Sequence, residues 1–346
     1  MPLQIAIDST APGDWNEFVR PFGRFYHRME WCEALHRQFG FGIHYLSARQ
    51  DGSIVGVLPL ATVRSLAGRR RVVSLPFSYA AGPLALSAEA DAALCAAARE
   101  LCESSGARTL ELKRRDPGQA APDGFHRVSH YLTYVVSTAG GADAVWKKLH
   151  PSHVQRAIRK GMKSVTVERG TDRAAWARMA ELQQRTSRRL GLPAPPDDFF
   201  VTECATLQRH GLAELLLARV PEAGDVAGVV LWKGGRETIY AFGASLPEYL
   251  DRKPNHALLW TALQDATREG VSFDLGRAAP EQGGLTQFKL RWGGEPHPLA
   301  YDYWPAPSGL NTMSRDRGAL AMAGRLWSRL PLPLTRRASF LYRYLG

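Results

Sequence analysis

Over residues 271–275 apolar side chains alternate with polar ones, a pattern typical of a half-buried β-strand. The strand ends at Gly276, and a glycine-rich loop over residues 278–284 follows it. A second short segment then places Lys289 and Arg291 among large aromatic side chains. A cation beside apolar surface is costly unless an anion binds there. We therefore expect a functional site around these two segments.

The order of turns, helices and strands repeats once along the chain. A turn followed by an apolar strand occurs at residues 51–60 and again at residues 223–232. In each half a helix then ends at a glycine and a strand follows: helix 92–105, Gly106 and strand 109–112, and helix 256–269, Gly270 and strand 273–275. Glycine just beyond a helix suits a left-handed C-cap. The repeat predicts two α/β units with mixed sheets in tandem; chance likeness of short segments is the alternative.

Breaks in the pattern divide the chain into domains. A loop rich in Pro, Gly and Ala covers residues 116–124, a strand follows at 131–136, and residues 137–141 interrupt the chain again. We therefore predict an N-terminal domain over residues 1–138. The second domain then covers residues 139–308, and a basic amphipathic tail covers residues 309–346.

A basic stretch opens the second domain. Residues 147–163 contain six Lys or Arg and no acidic residue. On one helix these residues predict two faces: a cationic face of Arg156, Arg159, Lys160 and Lys163, and an apolar face of Val154, Ile158 and Met162. A solvated amphipathic helix and a phosphate-binding surface both fit this pattern. The lack of acids favours the phosphate-binding surface, because ordinary solvent faces mix charges of both signs.

The composition indicates a globular protein with a core. Its 346 residues suggest about two domains at roughly 150 residues each. The hydrophobic share is 45%, and the mean hydropathy is −0.24. No run reaches the roughly 18 apolar residues of a membrane span, and residues 1–5 do not resemble a secretory signal. Four cysteines without C-x-x-C spacing predict buried, reduced thiols and no metal site. We expect a cytoplasmic location.

The net charge of +11 predicts anionic partners such as nucleic acid, phosphorylated substrates or lipid headgroups. Much of the excess lies in the tail, because residues 311–346 contain seven Arg and one Asp. The tail also carries Leu, Trp, Phe and Tyr. It fits two arrangements equally: a helix on an anionic membrane surface, which would place the protein at the inner face of the cytoplasmic membrane, or a helix packed on the body with its arginines exposed.

Five short motifs, in this order, resemble those of the FemAB group of the GNAT superfamily, most closely its branch beside exopolysaccharide and PEP-CTERM export genes. They are R-x-x-R-K at 156–160, Y-A-F-G-A-S at 240–245, Asn255 before L-L-W at 258–260, F-D-L-G-R at 273–277, and F-K-x-x-W-G-x-x-P at 288–296. The resemblance implies two GNAT-like domains, the first degenerate. It also implies transfer of an acyl or aminoacyl group to an amine of a cell-envelope, glycan or peptide acceptor.

The resemblance also implies roles for particular residues. In the better understood FemAB enzymes the lysine of the F-K motif lies close to the reacting carbonyl and phosphates. The resemblance therefore implies the same position for Lys289. A fixed ammonium aimed at the oxyanion of acyl transfer lowers the barrier. Asp274 would orient Arg277, accept a proton from the attacking amine, or be only a structural partner of Arg277. The expected substrate-binding residues are Phe288, Arg277, Arg291, Trp292, Tyr240, Asn255, Arg156, Arg159 and Lys160.

The donor is left open between aminoacyl-tRNA and acyl-CoA, and no cofactor is firmly implied. Acetyl-CoA-dependent GNAT proteins bind pyrophosphate on a Q/R-x-x-G-x-G/A loop at a helix start. Residues 79–88 and 244–255 lack that pattern, which disfavours acetyl-CoA. The basic stretch would instead suit tRNA or a phosphorylated or lipid-linked acceptor. The rival hypothesis is a non-catalytic GNAT scaffold that binds RNA or an anionic membrane surface.

Overall fold

The computed structural model describes residues 2–115, 120–279, 281–306 and 317–346, with the side chains of the last range from residue 322. It divides into two compact units. Unit 1 comprises Met1–Leu132, His297–Leu310 and Tyr344–Gly346, and unit 2 comprises Thr133–Pro296 and Asn311–Arg343.

Unit 1 is a mixed sheet with helices. Its elements are β1 (Gln4–Asp8), α1 (Trp15–Phe22), α2 (Met29–Phe39), β2 (Gly42–Gln50), β3 (Ser53–Arg64), β4 (Arg70–Val73), β5 (Leu84–Ala85), α3 (Ala88–Ser104), β6 (Leu110–Arg115), the first part of β7 (His126–Val136) and most of β13 (Glu295–Trp304). The strand order β1-β2-β3-β4-β6-β13 is antiparallel except for the parallel β4–β6 pair. The core lies where α3 packs on β2, β3 and β6.

Local sequence accounts for the main turns of unit 1. Asp51 and Gly52 both have positive φ angles, as the two-residue turn between β2 and β3 requires. α3 begins earlier than the predicted residue 92, because the Ser87 side chain accepts the N–H of Ala90 and caps the helix. All four cysteines are buried and unpaired, as predicted.

Unit 2 repeats this architecture with more helices. Its elements are the second part of β7, α4 (Gly141–Lys148), a π-helical turn (Pro151–Gln155), α5 (Arg156–Ser164), β8 (Thr166–Gly170), α6 (Arg173–Arg189), a second π-helical turn (Phe199–Cys204), α7 (Ala205–Arg209), β9 (Ala213–Val220), β10 (Gly224–Lys233), β11 (Glu237–Ser245), a 3₁₀ turn (Pro247–Arg252), α8 (Pro254–Arg268), β12 (Ser272–Ala278), α9 (Gly283–Arg291), α10 (Arg317–Arg329), α11 (Leu332–Arg337) and a final 3₁₀ segment that begins at Ala338. The strand order is β8-β9-β10-β11-β12-β7.

The two units confirm the predicted α/β fold with tandem repeats. In unit 1 the neighbouring strands β1-β2-β3-β4 are antiparallel, and β6 is parallel to β4. In unit 2 the neighbouring strands β8-β9-β10-β11 are antiparallel, and β12 is parallel to β11. In each unit a long helix, α3 or α8, precedes the last of these strands. The repeat of short segments therefore reflects a repeated fold.

Three details differ from the sequence-based expectations. The predicted second domain ran through residue 308, but the structure groups the chain from His297 with unit 1, where Leu299–Trp304 pairs with β6. The basic stretch over 147–163 is divided between α4 and α5, because Pro151 starts a new helical segment. Met162, expected on the apolar face of the basic helix, is 47% exposed.

None of the described helices is long and apolar enough to cross a membrane.

Candidate active site in unit 2

The ends of β11 and β12 form an open edge in the middle of unit 2. The parallel ladder between them joins Glu237–Ile239 to Ser272–Asp274. β11 continues to Ser245 and β12 to Ala278, beyond the last described pair of that ladder. At the far end of β11 the Thr186 side chain binds the N–H and the carbonyl of Ser245, at 3.2 and 3.4 Å. Between Ile239 and Ser245 the described ladders give β11 a partner only in β10, so this stretch can accept an extended ligand.

A β-bulge lies where the ladder ends. Val230 of β10 pairs with Phe242, whereas Leu231 pairs with Tyr240, so Ala241 is the extra residue of β11. The Tyr240 side chain lies along the strand, and its hydroxyl is 1.7 Å from the position that a Cβ on Gly243 would occupy. Glycine at 243 is therefore required by the position of Tyr240. Burial raises the pKa of the Tyr240 hydroxyl to about 12, so the phenol stays protonated near neutral pH.

Asp274 is completely buried at the end of the ladder. One of its carboxylate oxygens accepts hydrogen bonds from the Thr133 hydroxyl at 2.5 Å and from the Gly276 N–H at 2.7 Å. Gly276 has a φ of 81°, a conformation that glycine adopts without strain. Asp274 therefore holds the backbone turn at the end of β12.

Lys289 points from α9 to the same turn and is 3% exposed. Its Nζ donates to the carbonyl oxygens of Gly276 at 2.5 Å and Arg277 at 2.9 Å, and lies 5.5 Å from the ring centroid of Tyr134. Burial lowers the pKa of Lys289 to about 8; the Asp274 carboxylate opposes the shift and the Arg277 guanidinium adds to it. Lys289 is thus neither solvated nor on a strand, and it completes a network that fixes the carboxyl end of β12.

The other aromatic and basic residues predicted near Lys289 have different environments. Phe288 is half-buried beside Trp292, with ring centroids 6.1 Å apart. Trp292 is 1% exposed and also packs on His256, so its side chain lies in the buried interior of unit 2, and its role in substrate binding stays a prediction. The side chains of Arg277 and Arg291 are exposed.

Asn255 links the start of α8 to the end of β11. Its Nδ2 donates to the Ser245 hydroxyl at 3.2 Å, and its side chain is half-buried. The structure therefore brings Asn255 to the end of the strand that carries Tyr240.

The first turn of α8 has few free N–H groups. Pro254 has none, and the N–H groups of His256 and Ala257 both donate to the carbonyl of Lys253, at 3.1 and 3.3 Å. A phosphate site at a helix start depends on several free N–H groups. Among the described hydrogen bonds this turn leaves only the N–H of Asn255 for an anion.

The basic helix α5 packs against the start of α8. A Cβ on Gly161 would lie 2.6 Å from the carbonyl oxygen of Lys253, so glycine permits this contact. Arg156, Arg159 and Lys160 are all exposed, and the Arg159 guanidinium lies 5.2 Å from the ring centroid of Trp146. The structure thus places three predicted phosphate-binding cations on the solvent side of a helix that touches α8.

Sequence reasoning missed two residues of the Asp274–Lys289 network and one cavity. Thr133 and Tyr134 are distant in sequence from the residues they contact, and no motif marked them. The cavity lies within unit 1 and has a volume of about 620 Å³. Its lining includes Arg24, Arg114, Arg115 and Arg127, beside the start of α3.

Two of the arginines in this cavity pair with aspartates. Arg114 forms a two-pronged pair with Asp91, at 2.7 and 2.9 Å, and shares the buried Asp302 with Arg127. His27 also lines the cavity, and burial lowers its pKa to about 4, so it adds no charge near neutral pH. The wall of the cavity thus carries four arginines, whose guanidinium groups suit anionic ligands such as phosphate.

Comparison with known proteins agrees with this geometry. Residues 150–290, which include α5, β11, α8 and β12, match the family model described as an acetyltransferase (GNAT) domain. No curated protein matches the chain. The chain is similar to the crystal structure of FemX, with a TM-score of 0.65 and 17% identity over 86% of this chain and 96% of FemX.

Two further structures share the fold at low identity. L-PGS from Bacillus licheniformis has a TM-score of 0.56 and 13% identity, over 93% of this chain and 98% of that one. A tandem GNAT protein from the clavulanic acid biosynthesis pathway has a TM-score of 0.53 and 16% identity, over 89% of this chain and all of the other (100%). Residues 150–290 therefore match a GNAT acetyltransferase domain, and the chain shares its fold with FemX and with the tandem GNAT protein.

Proposed function

We propose that the protein is an N-acyltransferase that transfers an acyl or aminoacyl group to an amine of a cell-envelope, glycan or peptide acceptor, in the cytoplasm. The observation that carries the proposal is the open edge beyond the β11–β12 ladder, inside the segment that matches the GNAT model. An acyl donor with an amide-bearing arm can pair with the free edge of β11, as an added strand does. Its reactive carbonyl would then lie near Tyr240.

Tyr240 is the residue we propose as proton donor. Attack of an amine on an ester or thioester creates an oxyanion and then expels a leaving group. The phenol of Tyr240 remains protonated near neutral pH because burial raises its pKa to about 12. It can therefore donate a hydrogen bond to the oxyanion or a proton to the leaving group.

Lys289 and Asp274 act on the site through the backbone in this proposal. Lys289 binds two carbonyl oxygens and Asp274 binds the N–H of Gly276, so together they fix the end of β12. The buried ammonium also adds positive potential where negative charge develops. Lys289 is thus a positioning residue in this proposal, and its contact with substrate stays a prediction.

We favour aminoacyl-tRNA over acyl-CoA as the donor. The start of α8 has few free N–H groups for a pyrophosphate, whereas α5 beside it exposes Arg156, Arg159 and Lys160. Exposed cations on a helix suit the spaced phosphates of an RNA backbone.

We also propose that the acceptor is phosphorylated or lipid-linked. The arginine-lined cavity of unit 1 supports this part of the proposal, because guanidinium groups bind phosphate in a two-pronged geometry.

The test incubates the full chain with aminoacyl-tRNA or with acyl-CoA in the presence of amine acceptors, and detects products by mass spectrometry. We expect product from aminoacyl-tRNA that is lost when the tRNA is digested with RNase beforehand. Product that survives RNase and requires acyl-CoA would overturn the donor assignment. Absence of product with every donor would overturn the enzymatic proposal.

The second candidate is a non-catalytic GNAT scaffold that binds RNA, and the acid-free cationic face of α5 favours it. It predicts salt-sensitive RNA binding without any acylated product. Transfer activity that depends on Tyr240 would exclude it.

A further inference from the structure

The C-terminal segment of unit 2 exposes a row of apolar side chains. Met322 is 64% exposed, Leu326 60%, Leu330 38% and Leu334 50%. Met322 and Leu326 are four positions apart in α10 and fall on one side of that helix, whereas Leu330 directly follows α10 and Leu334 lies in α11. Four large exposed apolar side chains in so short a segment are unusual for a surface in contact only with water.

The loop after α6 extends this row into a wider surface. Leu190 is 60% exposed and Leu192 is 50% exposed. Gly191 between them packs on α10, since a Cβ there would lie 2.6 Å from the carbonyl oxygen of Gly324. The Arg188 side chain donates to the carbonyl of Leu330 at 2.6 Å. The loop and α10 are therefore held together.

We call this the tail surface: Leu190, Leu192, Met322, Leu326, Leu330 and Leu334.

Cations accompany the tail surface. Residues 317–346 contain six arginines and no acidic residue. Arg325 and Arg329 are exposed and stand three positions after Met322 and Leu326, on the flank of the apolar row. Arg189 is exposed beside Leu190, and Arg336 is paired with Asp197.

We propose that the tail surface docks on an anionic lipid membrane, with its leucines in the boundary between headgroups and acyl chains. An apolar row flanked by arginines is the arrangement of helices that lie in this boundary. Arginine stems can cover apolar surface while their guanidinium groups reach lipid phosphates. The lack of acids in residues 317–346 matches the negative charge of such a membrane. This inference does not depend on the proposed acyl transfer.

The test measures sedimentation of the full chain with vesicles of neutral lipid, and with vesicles that also contain phosphatidylglycerol. We expect binding that is at least tenfold stronger to the anionic vesicles and that weakens as salt is raised. The double variant Leu326→Asn/Leu334→Asn should lose at least tenfold in binding. The matched control Ile7→Asn/Leu66→Asn changes two apolar residues of unit 1 that are 44% and 72% exposed, and should bind like wild type.

A second measurement keeps the test independent of the leucine variants. All four native cysteines are buried, so Met322→Cys offers a selective site for an environment-sensitive fluorophore. We expect a blue shift on addition of anionic vesicles and none with neutral vesicles. Equal binding to both kinds of vesicle, or no shift at Met322→Cys, would overturn the proposal. Self-association in solution that the leucine variants abolish would assign the tail surface to a second copy of the chain instead.

Discussion

At the scale of single residues, the Asp274–Lys289 network is the most informative feature of unit 2. A carboxylate and an ammonium, both buried, bind the N–H and carbonyl groups of one backbone turn at Gly276. Buried charges are costly unless they are paired and hydrogen-bonded. Their use here to fix the end of β12 indicates that the position of this strand end matters to the protein.

Lys289→Met removes the ammonium and keeps the volume of the side chain approximately. We expect the free energy of unfolding to fall by about 2–4 kcal/mol, because two buried carbonyl oxygens lose their donor. The folded variant should also lose at least tenfold in kcat for acyl transfer. Urea unfolding and single-turnover transfer by protein that is confirmed as folded measure the two effects. Loss of stability with unchanged kcat would give Lys289 a purely structural role.

The pH dependence of Lys289 has a definite sign. Its pKa is lowered from 10.5 to about 8 in the folded state, so between these values the unfolded chain binds more protons. The contribution of Lys289 to stability should therefore rise from pH 8 to pH 10.5, by roughly 3 kcal/mol at most. The rate of acyl transfer should decline over the same pH range if transfer requires the positive charge of Lys289. Unfolding and activity of wild type and Lys289→Met between pH 7 and 10 provide the comparison; parallel profiles for the two proteins would contradict the assignment.

Gly243→Ala tests the position of Tyr240. The new Cβ would fall 1.7 Å from the Tyr240 hydroxyl, so the ring must move. We expect kcat to drop to the level of Tyr240→Phe, at least tenfold below wild type. The matched control, Gly13→Ala, has open space around the new Cβ and should retain full activity. Full activity in Gly243→Ala would show that Tyr240 is not needed where the structure places it.

At the scale of elements, α5 has two different sides, one that packs into unit 2 and one that is cationic, and the sequence pattern predicts both. Its buried side, with Val154 just before it and with Ala157 and Ile158, packs into unit 2, and Gly161 allows close contact with Lys253. Its other side carries cations into solvent. The bulge in β11 and the end of the β11–β12 ladder are likewise properties of pairs of elements, because each depends on the register with a neighbouring strand.

The triple variant Arg156→Gln/Arg159→Gln/Lys160→Gln removes the proposed RNA surface without touching the core. We expect tRNA affinity to fall at least tenfold at 0.1 M salt, and the slope of log affinity against log salt to decrease. A matched triple variant of exposed unit 1 arginines, Arg64→Gln/Arg69→Gln/Arg108→Gln, should change neither quantity. Equal losses in the two variants would indicate only a general effect of net charge.

At the scale of the whole molecule, the two units share one strand order but differ in their chemistry. Unit 2 has the open strand edge and the buried lysine from α9. Unit 1 has its buried lysine, Lys113, on the strand β6 itself, where Nζ donates to the carbonyl of Leu75 at 3.0 Å. Unit 1 instead presents a cavity lined by arginines. In our proposals unit 2 carries out acyl transfer, and the arginine-lined cavity of unit 1 binds an anion.

Binding of pyrophosphate distinguishes the units. We expect millimolar pyrophosphate to raise the Tm of the full chain by ligand linkage, and Arg115→Gln to reduce that increase by more than half. Arg291→Gln, an exposed arginine of unit 2, is the control and should retain the full increase. An increase that persists in Arg115→Gln and disappears in Arg291→Gln would place the anion site in unit 2.

The sequence by itself determined the repeated order of elements and directed attention to the candidate site. Alternation at 271–275 and the glycines after α3 and α8 are local signals, and local backbone preferences do not depend on the rest of the fold. F-D-L-G-R and F-K-x-x-W-G were also sufficient to single out Asp274 and Lys289. Only the tertiary structure decided which groups these side chains bind, because Thr133 and Tyr134 reach them across more than 100 positions of sequence. The sequence also did not predict the unit 1 cavity, because its arginines come from separate elements, or the burial of Trp292. Both depend on tertiary packing, which short sequence patterns do not specify.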